Sequence, residues 1–305
     1  MDMPRGLEVG PQVRCCGMAV HRALELLDGW LGHLPPTGRD WLSAALASVA
    51  AGDERALFIA FSLAPRKLPR SDLQLSADER RTVGEALPGW RPWRWSLDQV
   101  ARTRLLLAWP HADPTRYLST LDRLFAAAGL QELVALYQAL ALLPHGPLLA
   151  KRAAEGVRSS MTVIFESVAL DNPYPHGHLD EGAWNQLVLK CLFNGSDLSR
   201  VVGFDGRANP TLMRQLCGYA HERWAAHRSV DPLLWRGVGR FADAQALHDL
   251  QRVLGSGTPR ERQAAALALR DCGSAAALAV LAAHPLPGAA APGPAAWEQL
   301  TQGVS

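Results

Sequence analysis

Apolar residues recur three and four positions apart along nearly the whole chain, the spacing that gathers them on one face of a helix. Strand-like alternation with β-branched residues is nearly absent. The pattern predicts a helix from Trp41 to Ala51, a break at Gly52-Asp53, and a second helix to about Leu63. A connector rich in proline, arginine and tryptophan follows from Pro65 to Ser96, carrying a short helix near Ala77 to Leu87 that Ser76 caps. Ser96 caps the next helix, which runs to Trp109. Asp113-Pro114 then opens another, with proline at the first helical position, where its missing N–H is no loss.

Helices then come in pairs. Thr115 to Ala128 pairs with Gln131 to Leu143, Asp243 to Leu254 with Pro259 to Leu269, and Ser274 to Ala283 follows. Between them a long helix is expected from Leu148 to Leu170, packing through Val157, Met161, Ile164, Phe165 and Val168, with Arg152, Glu155, Ser159, Thr162 and Glu166 opposite. Another runs from Thr211 to about His227, capped by Asn209. Hairpins of helices repeating at about forty residues each leave an apolar face that only stacking covers. The expected fold is therefore all-α, a HEAT-like α-solenoid of stacked antiparallel helix pairs. The domain occupies residues 30–284, preceded by a poorly patterned segment, 1–29, and followed by a flexible tail rich in alanine, proline and glycine, 285–305.

One stretch departs from simple packing logic. In NPYPHGHLDEGAWNQLVLKCLFNG, Asn172 to Gly195, Pro173 and Pro175 fix their own φ angles and push Asn172 and Tyr174 toward extended backbone. The chain restarts at Asp180, a good N-cap with Glu181 behind it at the positive end of the helix dipole, and Asn194-Gly195 supplies a left-handed stop. At roughly 100° per residue, Trp184, Leu187, Val188, Cys191 and Leu192 share an apolar face, while Gln186 and Lys190 form the wet stripe. Glu181 and Asn185 fall inside the apolar boundary, where an unsatisfied polar group costs about 1–3 kcal/mol. Either they bond to each other and to the corner, or they face a ligand or partner. Arg158, near the boundary of its own helix, is expected to pair with Glu181. Arg207, just before the Asn209 cap, is expected to neutralise Asp180 or Glu181, or to hold an anionic group.

These motifs, NPYP, DE, WNQ, VLK and LF-x-G, resemble those of the EboA family, the metabolite traffic protein of the bacterial and algal ebo operon. The likeness extends through ALFIAFSLAPRKL, ELVALYQALALLP and RANPTLMRQLCGYAHERWAAHR and covers roughly Trp30 to His284. The resemblance implies a part in moving or processing a secondary metabolite, with the other ebo-operon proteins, including a UbiA-like membrane prenyltransferase, as partners. It implies no defined reaction. His176 and His178 are not part of the family pattern.

Composition narrows the function further. The 305-residue chain carries 31 Lys and Arg against 29 Asp and Glu, a formal charge of +2, and 48% hydrophobic residues. No basic face for nucleic acid or anionic lipid is expected; Arg91 to Arg104, with Trp93 and Trp95, comes closest and reads as a solvated loop opening a helix. Five cysteines without CxxC spacing indicate neither zinc nor a disulfide framework. The N-terminus lacks an apolar signal core and no window reaches membrane-spanning length, so the expected compartment is the cytoplasm, with membrane contact only through a partner. His176, His178, Asp180 and Glu181 are metal-like in composition but not in spacing, and His221 with Glu222 is expected to be a surface contact. No motif for a nucleophile, a phosphate loop or a cofactor occurs, so neither a metal nor a cofactor is expected. Two classes follow: a non-enzymatic helical protein binding a metabolite or a partner, which the missing chemistry favours, or an enzyme acting on an apolar or prenylated metabolite in a pocket around Asn172 to Asn185. The candidate binding residues for both are Asn172, Tyr174, Asp180, Glu181, Trp184, Asn185, Lys190, Arg158, Arg207 and Asn209.

Overall fold

The computed structural model describes residues 11–284 and 294–301, with side chains for 20–284 and 296–300. The expectations for residues 1–10, for the side chains of Cys15 and Cys16, and for 285–293 lie outside the described residues. Every regular element among those described is helical, and the nearest approach to a strand is an isolated antiparallel bridge between Asp72 and Ser96. None of these helices is long and apolar enough to cross a membrane. The chain divides into two compact units, Met1–His178 and Leu179–Ser305.

The first unit contains α1 (Pro11–Gly32), α2 (Pro36–Ala50), α3 (Glu54–Lys67), α4 (Ala77–Ala86), α5 (Leu97–Ala108), α6 (Pro114–Ala127), α7 (Leu130–Ala139), α8 (Ala150–Arg158), α9 (Thr162–Ala169) and the short α10 (Tyr174–His178). Local chemistry explains most starts. Asp53 accepts the Ala56 N–H at 3.0 Å, Ser76 and Glu79 form a reciprocal capping box, and Asp113 accepts from Thr115 and Arg116. At the centre lies α5, packed by α1, α2, α3 and α7, with Val100, Ala101, Leu105 and Leu106 fully buried. The same helix buries an ion pair. Arg102, only 2% exposed, bonds Asp98 at 2.6 Å and the Phe61 carbonyl at 2.9 Å.

The Pro65 to Ser96 connector is less solvated than its composition suggests. Trp95 is buried edge-on against Trp90, which in turn meets Trp30, so these aromatics belong to the core; Trp93 lies under the Arg80 guanidinium. Residues 11–29, assigned no element from sequence, are within α1. α7 packs mainly on α5 and α9, touching its expected partner α6 through Phe125 and Tyr137, whose rings are 5.1 Å apart. The reason is its burial: Val134, Ala135, Leu136, Tyr137 and Ala139 leave no single wet face for a simple hairpin.

The expected continuous helix from Leu148 to Leu170 is broken. A 3-10 turn covers Gly146–Leu149, α8 ends at Arg158, and α9 starts afresh at Thr162. Ser159 leaves the helix with ψ 135° and its hydroxyl accepts the Met161 N–H at 3.2 Å, the local competition by which serines interrupt helices. Val157, Ile164, Phe165 and Val168 are buried as the stripe requires, but the break turns Met161 outward.

The second unit contains α11 (Glu181–Asn194), α12 (Pro210–Ala225), α13 (Ala244–Ser256), α14 (Pro259–Cys272), α15 (Ala275–Ala283) and α16 (Pro294–Thr301), with 3-10 turns at Leu198–Arg200, Asp205–Arg207, Pro232–Gly237 and Gly239–Phe241. Its hub is α14, which packs against α13, α15, α16 and the last two 3-10 turns. Ala264 to Leu269 are all buried, and the small side chains let backbone approach backbone: a Cβ on Gly239 would fall 2.5 Å from the Ala268 carbonyl oxygen. Trp297 of α16 is buried and donates its indole N–H to Asp271 at 2.8 Å.

Candidate functional site

The proline corner belongs to the first unit. Tyr174 is not held extended; it begins α10, and the chain reaches it through Asp171 in the left-handed region at φ 57°. The local reason is Asn172, whose Oδ1 accepts the Tyr174 N–H at 3.0 Å and so starts a turn in which Pro173 and Pro175 occupy positions that need no N–H. Both amide protons of the buried Asn172 are also engaged, with the carbonyls of Tyr137 at 3.1 Å and Ser167 at 3.3 Å. Asn172 thus ties α7, α9 and α10 together and has no N–H left for a ligand. Tyr174 donates its hydroxyl to the Gly146 carbonyl at 2.5 Å, and burial pushes its phenol well above the usual range. His178 lies against the Tyr174 ring, 4.5 Å between centroids, and burial lowers its pKa. Arg158 is exposed at the end of α8.

The helical part of the motif belongs to the second unit and starts as expected. Asp180 accepts the Ala183 N–H at 2.7 Å, and Gly195 closes α11 at φ 69°. Asn185 is 2% exposed, but its partner is not Glu181. It exchanges two hydrogen bonds with Asn209, at 2.9 and 3.3 Å, while Asn209 caps α12 by accepting the Leu212 N–H at 2.8 Å. Glu181 is exposed in the first turn of α11, where the carboxylate is solvated and favoured by the dipole, so it is not the buried acid that its helical register suggested. Arg207 does come to this helix: it donates to the Leu179 carbonyl at 2.7 Å and lies over the buried Trp184 ring at 4.9 Å. Burial lowers its pKa while the nearby charges of Asp180 and Glu181 raise it. Lys190 is half-buried, and burial depresses its pKa as well.

Other candidate chemistry is rearranged. His221 pairs with the buried Asp249 of α13 at 2.8 Å rather than with Glu222, which is exposed. Asp249 also accepts from Gln245 at 3.3 Å. Among the described residues no group of three or more His, Cys, Asp or Glu side chains is placed to hold a metal.

A cleft of about 910 Å³ opens elsewhere in the second unit, bounded by the end of α11, the loop before Pro232–Gly237 and the start of α14. Leu192, Tyr219, Val230 and Leu233 give it an apolar floor, and Asp197, Asp231, Arg223, Arg260 and Glu261 supply its charges. Phe193 stands at its side, 67% exposed, with its ring edge-on to Tyr219 at 5.0 Å. This site is not legible in the sequence because its walls come from separate segments spread between Leu192 and Glu261. The only local signal was Phe193, an aromatic in the last turn of a helix just ahead of its glycine stop.

The family described as metabolite traffic protein EboA matches residues 23–239, most of the chain. The chain belongs to the EboA family. No curated protein and no solved structure matches it significantly. The EboA match includes the whole of the Asn172 to Gly195 motif, together with Arg207, Asn209 and the part of the cleft up to Leu233.

Proposed function

We propose that this EboA protein is a non-enzymatic helical binding or adaptor protein that takes part in trafficking or processing a secondary metabolite. The observation that carries the reading is the cleft of about 910 Å³ beside Phe193, whose volume lies in the range of small-molecule sites. The family description, metabolite traffic, supports the same class of ligand. In this reading the Asn172 and Asn185 networks stiffen the fold, their amides being engaged by backbone and by Asn209. The protein works in the cytoplasm, its helix pairs stack in a HEAT-like solenoid, and it hands its cargo to other ebo-operon proteins, including the UbiA-like membrane prenyltransferase.

Native mass spectrometry of the chain purified from its own host, together with pull-down of the operon products, tests this. A stoichiometric small molecule or a specific operon partner is the expected result. Finding neither would refute the reading, and metabolite turnover in cell extract would replace it with an enzyme.

A further inference from the structure

The chemistry of the cleft beside Phe193 is specific enough to name a ligand class. Two carboxylates enter it from the starts of two 3-10 turns. Asp197 Oδ1 accepts the Ser199 N–H at 2.9 Å and the Ser199 hydroxyl at 2.6 Å; Asp231 Oδ1 accepts the Leu233 N–H at 2.9 Å. In each case Oδ2 has no hydrogen-bond or ion-pair partner among the described residues. Asp231 is an exposed residue, while the protein on one side of its carboxyl partly desolvates it. That desolvation pushes its carboxyl pKa up, and the like charge of Asp197 raises it further.

Two guanidinium groups share the cleft. Arg223 directs Nε to the Ser229 carbonyl at 2.9 Å. Arg260 lowers the Asp231 pKa from a distance, but its Nε is closed off from the cleft by protein and bonds to nothing. Glu261 adds a third acid, with Oε2 engaged by the Thr258 N–H at 2.8 Å. Three carboxylates, Asp197, Asp231 and Glu261, thus face two guanidinium groups in the lining, which leaves it net negative. The exposed Phe193 and buried Tyr219 offer ring surface, which attracts a cation and covers an apolar body.

We propose that this cleft binds a small amine, its apolar or aromatic body on Phe193 and Leu233 and its ammonium group at the free oxygens of Asp197 and Asp231. The inference rests on the carrier reading above and gives that carrier's cargo a charged nitrogen. An ammonium relieves the repulsion between the two carboxylates, which a neutral ligand leaves in place and an anion aggravates.

Three probes that share one body separate these cases: 3-phenylpropylamine, 3-phenylpropanol and 3-phenylpropanoate, titrated into the full chain and followed by ligand-observed NMR. The amine is expected to bind about tenfold tighter than the alcohol, the difference between a charge-assisted and a neutral hydrogen bond, with the carboxylate weakest. Asp231→Asn keeps the cap on Leu233, because its amide oxygen still accepts, and should bring the amine down to the level of the alcohol. Phe193→Ala, at an exposed position, should weaken the amine and the alcohol together. Equal binding of amine and alcohol overturns the proposal. So does tighter binding of the carboxylate that disappears in Arg260→Gln, or binding of none of the three to protein with an unchanged melting temperature. A co-purified metabolite with no amine preference would sink the ligand chemistry and leave the carrier reading standing. Amine preference in a chain that carries no metabolite and no partner would do the reverse.

Discussion

The amide pair between Asn185 and Asn209 carries the sharpest prediction about the motif. Asn185→Ala removes two neutral hydrogen bonds at a site 2% exposed, and Asn209 keeps only the Leu212 N–H and the Arg207 carbonyl. At about 1 kcal/mol net for each bond, with a further penalty for the amide proton left without an acceptor, the loss is about 2–3 kcal/mol. For a folded unit of this size that is about 5–10 °C in melting temperature. Asn209→Ala loses the same pair and the α12 cap, which adds about 1 kcal/mol. The double variant should then fall short of the summed single losses by about 1–2 kcal/mol, because the pair can be removed only once. Thermal melts and urea unfolding, followed by tryptophan fluorescence and far-UV circular dichroism, measure all three. A melting temperature within about 1 °C of wild type for Asn185→Ala, or a coupling below about 0.5 kcal/mol, would refute the claim that this pair joins α11 to α12, and would return Asn185 to the list of ligand-binding residues.

Three further outcomes test the fold. Arg102→Met should cost about 3–5 kcal/mol in urea unfolding, because it strands the Asp98 carboxylate in the α5 core; the double variant Arg102→Met, Asp98→Leu should recover most of that loss. Gly239→Ala sets a Cβ 2.5 Å from the backbone oxygen of Ala268, an atom that cannot swing aside, and should lose at least the 1–3 kcal/mol typical of overpacking; a neutral result in thermal melts would show the α14 contact to be looser than described. His178 has its pKa lowered by burial, so between that value and its ordinary 6.5 the unfolded chain binds more protons than the folded one. Its contribution to stability is therefore present above the ordinary value and lost as pH falls through the folded one. Chemical denaturation from pH 7.5 to 5 should show a shallower acid-side decline in His178→Gln than in wild type; identical slopes would rule the linkage out.

The amino-acid sequence alone determined the elements whose causes are local. Period-3.6 apolar spacing, Asp53, Ser76, Asp113, Asp180 and Asn209 as caps, and Gly195 as a stop each act within one turn of helix, so α3, α4, α6, α11 and α12 were legible, and so was the family. Only tertiary structure decided which polar group each polar group met. Asn185 found Asn209, 24 residues away, instead of Glu181 on its own helix, and Asn172 found the Tyr137 carbonyl 35 residues back; His221 found Asp249 rather than its neighbour Glu222. Helical periodicity says which side of a helix is apolar but not how deep a boundary position lies, and that depth separated the solvated Glu181 from the buried Asn185. The cleft was invisible for the same reason: a concave surface exists only when segments remote in sequence meet, and no window of the chain contains both Phe193 and Asp231 on one element.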